Sequence, residues 1–153
     1  MYNFISKSES DTINFAKKLA SKLKQSDVIV LTGELGSGKT KFTQGFLEFF
    51  GLENEISSPT FTIVNEYNTK NGLNIYHFDV YRLSDTDEFY AIGGEEYFEN
   101  GICIIEWGEL IQDALPKNYI HITFEKDNND ENYRLLKIKT IGDKFQNIFP
   151  SSE

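Results

Sequence analysis

The sequence contains little cysteine or histidine, which excludes the frameworks that depend on them. Cys103 is the one cysteine, and two histidines accompany it among 153 residues. A single chain of this composition can build neither a disulfide framework nor a zinc cluster. Cys103 lies inside an apolar run, where a small buried hydrophobic side chain is expected.

Long apolar segments are also missing. No run of about 18 apolar residues is present, so the sequence predicts no transmembrane helix. The N-terminus lacks the basic region and apolar core of a signal peptide. We therefore expect a soluble, cytoplasmic protein without membrane association. Because the chain has no internal repeat or linker, we expect residues 1–153 to form a single domain with its own core.

Positive charge is scarce in the middle of the chain. The formal net charge is −9, and residues 79–113 contain ten acidic side chains against one basic side chain, Arg82. Acidic and basic residues are balanced elsewhere, at fourteen each. Such a surface repels phosphate backbones, so we do not expect direct, tight nucleic-acid binding. The acidic stretch either keeps the protein soluble or docks a partner protein.

The most distinct motif present is a glycine-rich loop at residues 33–40. Its sequence is Gly33-Glu34-Leu35-Gly36-Ser37-Gly38-Lys39-Thr40. It fits Gly-x-x-x-x-Gly-Lys-[Ser/Thr], the phosphate-binding P-loop. An apolar, β-branched run at 28–31 predicts a buried strand before it. Phe42, Phe46 and Phe49 recur at helical spacing after it. Strand, glycine loop and helix in that order are the context that the motif requires.

The residue types of this loop suit a nucleoside triphosphate. A helix N-terminus offers unpaired N–H groups and roughly half a positive charge to phosphate oxygens. Gly33, Gly36 and Gly38 let the backbone curl around the β-phosphate, because glycine tolerates positive φ and carries no Cβ. Lys39 can reach the β- and γ-phosphates, and the Thr40 hydroxyl can ligate Mg²⁺.

Hydrophobic periodicity and turn residues predict alternating strands and helices. Strands are predicted over 2–5, 28–31, 61–67, 73–79, 102–105, 120–124 and 133–139. Helices are predicted over 10–24 (Ser8 as N-cap, Asp11 three residues on), from the P-loop to a C-cap at Gly51, and over 84–92, 95–99, 110–115 and 144–149. Asn71-Gly72 favours a tight antiparallel hairpin turn. We therefore predict an α/β, three-layer P-loop NTPase-like fold with a mixed central sheet.

Two predicted strands end in carboxylates, and hydrolysis of a triphosphate needs a carboxylate near the metal. Glu106 follows the more apolar strand, so it is the first candidate for the metal shell or for orienting the attacking water. Asp79 is the second candidate, holding a metal-bound water or Thr40. The alternative for each carboxylate is that it only caps the next helix.

Three further residues are singled out by their positions. Thr60 follows a proline and is either a switch threonine that senses the γ-phosphate or an ordinary hydroxyl at a strand start. His77 lies within a predicted strand, where a hydrogen-bonded structural histidine is expected. Trp107 follows Glu106 and is expected to pack there, at a position that would report nucleotide state.

Four motifs occur in one order and spacing. They are Gly33-Glu34-Leu35-Gly36-Ser37-Gly38-Lys39-Thr40, Ser58-Pro59-Thr60-Phe61-Thr62-Ile63-Val64-Asn65-Glu66-Tyr67, Tyr76-His77-Phe78-Asp79-Val80-Tyr81-Arg82-Leu83 and Ile104-Ile105-Glu106-Trp107. Together they resemble the bacterial TsaE (YjeE) family, the ATPase of tRNA threonylcarbamoyladenosine biosynthesis. The resemblance spans about residues 8–125. Ser37 stands where the family often has alanine and Lys41 where it often has threonine, and neither change removes a required group.

The resemblance implies a small ATPase that binds ATP with Mg²⁺ and is not a kinase. It also implies association with the two-subunit complex, TsaB and TsaD, that transfers threonylcarbamoyl to adenosine 37 of tRNA. By position, Thr40 and Glu106 would be metal ligands, residues 36–41 would cradle the phosphates, and Asp79 would lie near the metal. Adenine would lie toward residues 8–12.

These considerations define the predicted site. The predicted nucleotide contacts are Gly33, Glu34, Leu35, Gly36, Ser37, Gly38, Lys39, Thr40, Lys41, Ser8 and Arg134. The predicted catalytic residues are Lys39, Glu106 and Asp79, and the predicted metal ligands are Thr40 and Glu106.

Two other functions remain open. A small-molecule kinase usually closes an arginine-bearing lid over its substrates, and this chain has only two arginines, Arg82 and Arg134. The other is a non-catalytic assembly factor gated by nucleotide. A GTPase is disfavoured because no Asn-Lys-x-Asp motif is present. Arg82 is a candidate arginine finger or partner contact, and without such a finger intrinsic hydrolysis should be slow, at about 10⁻⁴ to 10⁻³ per second in small GTPases.

Overall fold

The described parts of the chain alternate between strands and helices. The computed structural model describes residues 1–34, 36–52, 64–81, 83 and 85–149. Its strands are β1 (Tyr2–Ser6), β2 (Val28–Thr32), β3 (Val64–Asn68), β4 (Asn74–Asp79), β5 (Gly101–Glu106), β6 (Tyr119–Lys126) and β7 (Arg134–Ile141). Its helices are α1 (Glu9–Ala20), α2 (Lys39–Phe49), α3 (Thr86–Ala91), α4 (Gly94–Asn100) and a 3₁₀ helix (Gly108–Ala114). Within these ranges, no helix combines the length and apolarity needed to cross a membrane.

The strands form one mixed sheet in the order β1-β7-β6-β2-β5-β4-β3. β2 lies at the centre, parallel to β5 and β6, and β4 runs parallel to β5. The outer pairs are antiparallel. Every residue of 28–31 and 102–105 is fully buried, as expected for parallel strands covered on both faces. The prediction of a mixed sheet is confirmed.

Helices cover both faces of this sheet. On one face α1 and α2 bury a cluster that includes Ile29 and Leu31 of β2. On the other face Val28 and Val30 pack in a cluster with Phe89 of α3, together with residues of α4 and the 3₁₀ helix. Alternate side chains of β2 therefore pack into the clusters on opposite faces of the sheet. The predicted three-layer α/β arrangement is confirmed.

The prediction for α1 is right at its start and wrong at its end. Ser8 is the N-cap, and its hydroxyl accepts a hydrogen bond from the Asp11 N–H at 3.2 Å. The helix ends at Ala20 rather than at residue 24. The Asp27 carboxylate accepts a 2.7 Å bond from the Lys24 N–H, so a local side-chain bond replaces the next helical turn. Leu23 nevertheless stays buried, which explains the misleading periodicity.

The C-terminus of α2 is closed by Gly51, as predicted. Gly51 has a φ of +76°, and the N–H groups of Gly51 and Leu52 donate to the carbonyls of Glu48 and Leu47 at 3.0 Å each. This is a Schellman closure. Phe42 and Phe46 are fully buried, but Phe49 is 45 % exposed. The helical spacing of the three residues is confirmed, and the ring of the exposed Phe49 meets that of Phe50 at its edge.

The β3–β4 hairpin forms as predicted, with a different turn. Five residues, 69–73, connect the strands, one position later than the predicted connection at 68–72. Within this loop Gly72 alone has a positive φ, +84°, and the Thr69 hydroxyl donates to the Leu73 carbonyl at 2.7 Å. That side-chain bond stabilises the five-residue turn. Residues 61–63, predicted to begin this hairpin, lie outside the described part of the chain.

The later elements agree with the predictions except in two places. Asp85 caps α3, and Ser84, the other predicted starter, lies outside the described residues. The segment predicted as a helix over 110–115 is a 3₁₀ helix interrupted at Ile111. Residues 144–149 form turns, not a helix. There Lys144 pairs with Asp27, and Phe149 stacks on Tyr2, so tertiary contacts override the local periodicity.

Candidate functional site

A cavity of about 720 Å³ lies beside the N-terminus of α2 and the carboxyl ends of β4 and β5. Its size falls within the usual range of small-molecule pockets. Six predicted P-loop residues line it: Glu34, Gly36, Gly38, Lys39, Thr40 and Lys41. Ser8, Asp79, Glu106 and Arg134 also line it. Gly33 and Ser37 are buried and do not line it, and Leu35 lies outside the described residues.

The P-loop glycines are required for two different reasons. Gly36 and Gly38 have φ of +79° and +113°, which side chains rarely adopt. Gly33 does not: a Cβ there would lie 3.0 Å from Phe124 Cβ and 2.5 Å from Ser37 Oγ. The prediction of positive φ is therefore wrong for Gly33, where close packing is the constraint. Because α2 begins at Lys39, the first free N–H groups of the helix lie at the loop.

The Lys39 ammonium lies between a carboxylate and an aromatic ring. Its Nζ is 3.6 Å from Glu106 Oε1 and 4.6 Å from the centroid of the Trp107 ring. The Lys39 side chain is only 9 % exposed, so both contacts offset the cost of burying its charge. The P-loop lysine and the β5 carboxylate therefore meet at one end of the cavity.

Glu106 is held on its other oxygen by His77. His77 Nε2 lies 2.6 Å from Glu106 Oε2. Burial raises the pKa of the Glu106 carboxyl, but the His77 hydrogen bond and the electrostatic effects of His77 and Lys39 outweigh it, and the pKa stays below its usual value. Glu106 is therefore an ionised acceptor, bound to His77 and Lys39 rather than to a helix end.

Asp79 is the direct neighbour of Glu106. The two residues are register partners on the parallel strands β4 and β5, so their side chains lie on one face of the sheet. Asp79 Oδ1 also accepts a hydrogen bond from the Tyr81 N–H at 3.0 Å. Asp79 thus both lines the cavity and stabilises the turn after β4.

Two further walls complete the cavity. The N-terminal wall contains Ser8 and Glu9, and Glu9 pairs with Lys41 of α2 at 3.6 Å. The opposite wall contains Arg134 at the start of β7. Its Nη2 donates to the carbonyl oxygen of Gly36 at 3.2 Å, so Arg134 holds the P-loop backbone in place.

Comparison with known proteins identifies the family. A model of the family described as "Threonylcarbamoyl adenosine biosynthesis protein TsaE" matches residues 6–135. The chain belongs to the TsaE family. A relative named tRNA threonylcarbamoyladenosine biosynthesis protein TsaE, from Bacillus subtilis, is 40 % identical over 137 residues, which cover 89 % of this chain and 84 % of the relative. A relative of the same name from Haemophilus influenzae is 36 % identical over 147 residues, 92 % of each chain.

A solved structure agrees with these matches. The crystal structure of YdiB from Bacillus subtilis is 34 % identical, with a TM-score of 0.71, and covers 92 % of this chain and 86 % of YdiB. The family resemblance drawn from the four motifs is confirmed, and so is the fold class.

The residues of this TsaE-family site suit Mg²⁺. Among the residues that the structure describes, no group of three or more His, Cys, Asp or Glu side chains could form a metal cage. The cavity instead offers the Thr40 hydroxyl with the Glu106 and Asp79 carboxylates. Hard oxygen donors, few in number, are what Mg²⁺ uses when substrate phosphates supply other ligands. The donor set therefore fits a metal bound together with a triphosphate.

The contact between His77 and Glu106 in this TsaE-family site was not predicted from the sequence. The prediction that His77 is hydrogen-bonded is confirmed. The signal was available in the spacing, because His77 and Asp79 are two residues apart on one strand and so share a face. Thr60 and Arg82 lie outside the described residues.

Trp107 and Tyr81 form an aromatic wall at the mouth of the cavity. Their ring centroids are 5.4 Å apart, and Tyr81 is 64 % exposed. Trp107 has a φ of +64°, which costs a side-chain-bearing residue about 1–2 kcal/mol. Its N–H donates to the Leu31 carbonyl at 2.8 Å, so the central strand holds this conformation and aims the ring at Lys39.

Proposed function

We propose that this member of the TsaE family is a Mg²⁺-dependent ATPase that supports the formation of N6-threonylcarbamoyladenosine at position 37 of tRNA. The observation that carries the proposal is the ionised Glu106 carboxylate, held 3.6 Å from the P-loop lysine Lys39 at one end of the cavity. The names of the Bacillus subtilis and Haemophilus influenzae relatives support the pathway.

The proposed phosphate site is the loop together with the start of α2. Backbone N–H groups at the left-handed Gly36 and Gly38 and at the helix N-terminus bind phosphate oxygens. Lys39 exchanges its contact with Glu106 for the β- and γ-phosphates. Glu34 and Lys41 line the entrance to this site, and we propose Ser37 and Gly33 as its packed base.

Thr40 and Glu106 are the proposed ligands of Mg²⁺, with Asp79 beside them. When bound, the metal neutralises charge on the phosphate oxygens. Glu106, already ionised, accepts a hydrogen bond from the attacking water and orients it toward the γ-phosphate. Asp79 supports the same region through a second water or through Thr40.

The nucleobase is proposed to lie at the opposite end of the cavity. Ser8 and Thr12 line the wall from the N-terminal segment, and Arg134 lines the wall from β7. These residues lie on the N-terminal and β7 walls, whereas Glu106 is the last residue of β5. A triphosphate that spans the P-loop therefore places its base toward Ser8 and Arg134.

The proposed partners are the TsaB- and TsaD-like subunits of the threonylcarbamoyl-transferase complex. The acidic excess of residues 79–113 disfavours direct RNA binding, so the chain is proposed to act on tRNA chemistry through these proteins in the cytoplasm. Intrinsic turnover is slow and rises on binding them. Tyr81, exposed at the cavity mouth, places an apolar side chain where a partner could approach.

An ATPase assay with and without the purified transferase complex tests this proposal. Phosphate release that requires Mg²⁺ and increases with the complex is expected. A companion pull-down in ATP and in ADP separates the alternatives. Nucleotide-dependent binding without any turnover would favour a gated assembly factor, and phosphate transfer to a metabolite would favour a kinase.

A further inference from the structure

His77 is buried directly behind Glu106. It is 4 % exposed and does not line the cavity. Its register partner on β5 is Ile104, whereas Asp79 is paired with Glu106. His77 therefore lies two residues before the level of the carboxylates, on the interior side of the site, where it has no access to a phosphate.

The hydrogen bond to Glu106 has a defined direction. A carboxylate oxygen accepts hydrogen bonds, and an imidazole N–H donates them. The proton of the 2.6 Å contact is therefore on His77 Nε2. The other ring nitrogen, Nδ1, is buried without a hydrogen-bond partner among the described residues. Among the described residues, the hydrogen bond of this imidazole is thus directed at one carboxylate oxygen.

The two oxygens of Glu106 are drawn in different directions. Lys39 attracts Oε1 from 3.6 Å, while His77 holds Oε2 at 2.6 Å. Without the histidine, Lys39 would be the remaining partner of the carboxylate among the described residues, and the Glu106 side chain would rotate toward the ammonium. A carboxylate paired closely with the P-loop lysine is badly placed for both a metal and a water.

We propose that His77 is the positioning residue that fixes the Glu106 carboxylate for Mg²⁺ and the attacking water. The inference rests on the ATPase function proposed above. His77 acts from the protein interior, through a hydrogen bond from its Nε2–H to Glu106 Oε2, while Lys39 contacts Oε1. Loss of a group that orients a metal ligand typically costs about 10- to 100-fold in metal affinity or activity.

The matched variants His77→Gln and His77→Asn test this role. Both carry the same amide and both keep a polar group at the buried position. The longer glutamine brings an N–H close to the place of Nε2, whereas asparagine ends near Nδ1 and falls short of Glu106. We expect His77→Gln to retain most of kcat and His77→Asn to lose about 10- to 100-fold, with KM for ATP little changed.

Mg²⁺ binding provides a readout other than activity. Calorimetry with a non-hydrolysable ATP analogue, with and without Mg²⁺, should give equal metal-free affinities for wild type and both variants. The gain in affinity on adding Mg²⁺ should be smaller in His77→Asn alone. Equal kcat and an equal Mg²⁺-dependent gain in ATP affinity in both variants would overturn the inference. An equal loss of kcat in both variants would also overturn it, because the length of the amide side chain would then make no difference.

NMR of the nucleotide-free wild type tests the bond without relying on a variant of His77. The chain has two histidines, so the His77 ring is readily assigned against His121. We expect a slowly exchanging, downfield His77 Nε2–H proton that disappears in Glu106→Ala. An identical His77 spectrum in both proteins would contradict the proposed bond. If wild type binds ATP without turnover, the ATPase proposal fails, while this spectrum and the Mg²⁺ gain still decide the inference.

Discussion

At the scale of single residues, Lys39 is the proposed link between ATP binding and hydrolysis. Its ammonium contacts the Glu106 carboxylate and the face of the Trp107 ring. A triphosphate must compete for that charge, so nucleotide binding and release of Glu106 are coupled. When Lys39 binds the triphosphate, its ammonium moves away from Trp107, the only tryptophan. The fluorescence of Trp107 should therefore change on nucleotide binding.

Lys39→Ala removes the side chain that contacts both partners. We expect ATP binding to fall below detection in calorimetry, because the loop loses its positive charge toward the β- and γ-phosphates. Lys18→Ala, on the exposed side of α1, is the matched control and should bind like wild type. Unchanged affinity in Lys39→Ala would overturn the P-loop assignment.

Residue types made the phosphate half of the site predictable, because a P-loop is local in sequence. The surroundings of Glu106 were not, since its hydrogen-bond partner His77 is 29 positions away. Only the parallel register of β4 and β5 brings these two side chains together. Pairing between strands is a tertiary property that a single sequence does not specify.

At the scale of elements, the structure depends on contacts that join neighbours in space. Thr32, at the end of β2, bonds Glu109 of the 3₁₀ helix at 2.7 Å and His121 of β6 at 2.8 Å. These bonds tie the strand before the P-loop to elements on both sides. Burial, partly opposed by the Glu109 charge and helped by Lys139, lowers the pKa of His121.

This lowered pKa predicts a pH dependence of stability. A histidine whose pKa is lower in the folded state binds fewer protons there, so folding stability falls as pH drops through the unfolded pKa, about 6.5. His121→Gln keeps a polar group and removes the titration. We expect the Tm of wild type to fall more steeply between pH 7 and pH 5 than that of His121→Gln. Parallel Tm profiles would contradict this assignment.

The crossing of α1 and α2 depends on Gly45. A Cβ there would lie 2.3 Å from the Ile13 carbonyl oxygen, so Gly45→Ala must separate the helices. We expect the free energy of unfolding to fall by about 1–3 kcal/mol in denaturant titrations, as for other overpacked cores. Glu48→Ala, on the same helix, should be close to neutral. A stabilised Gly45→Ala would show that alanine's helix propensity outweighs the clash.

The presence of most helices and strands was predictable from the sequence, whereas the residues at which they begin and end were less predictable. The capped starts at Ser8 and Asp85 and the closure at Gly51 follow from local side-chain and backbone chemistry. The end of α1 and the turns at 144–149 do not follow from local chemistry. Asp27 contacts both segments, since its carboxylate accepts a hydrogen bond from the Lys24 N–H and forms an ion pair with Lys144.

At the scale of the whole molecule, the acidic excess is confined to residues 79–113. Three basic side chains line the cavity beside five acidic ones, two of which, Asp79 and Glu106, belong to this stretch. Proteins meet through complementary potentials, which mainly raise the association rate. The acidic stretch therefore suits a basic surface on the proposed partner complex.

Charge reversal tests docking through the acidic stretch. Glu95 and Glu96 are exposed on α4, and reversing both to lysine should weaken stimulation of the ATPase by the transferase complex while basal turnover stays the same. Reversal of Asp127 and Asp143, exposed outside the acidic stretch, is the matched control. Equal stimulation of both double variants, measured at low salt, would count against docking through α4.

Glu106 is proposed to turn a nucleotide-binding loop into a hydrolytic site. Single-turnover phosphate release from ATP and Mg²⁺, measured for wild type and Glu106→Ala beside ATP affinity, tests this role most directly. We predict that the variant still binds ATP and that its phosphate release falls by about 100-fold or more, as when a group that stabilises the transition state is removed. Release at the wild-type rate would contradict it and would transfer the role to Asp79.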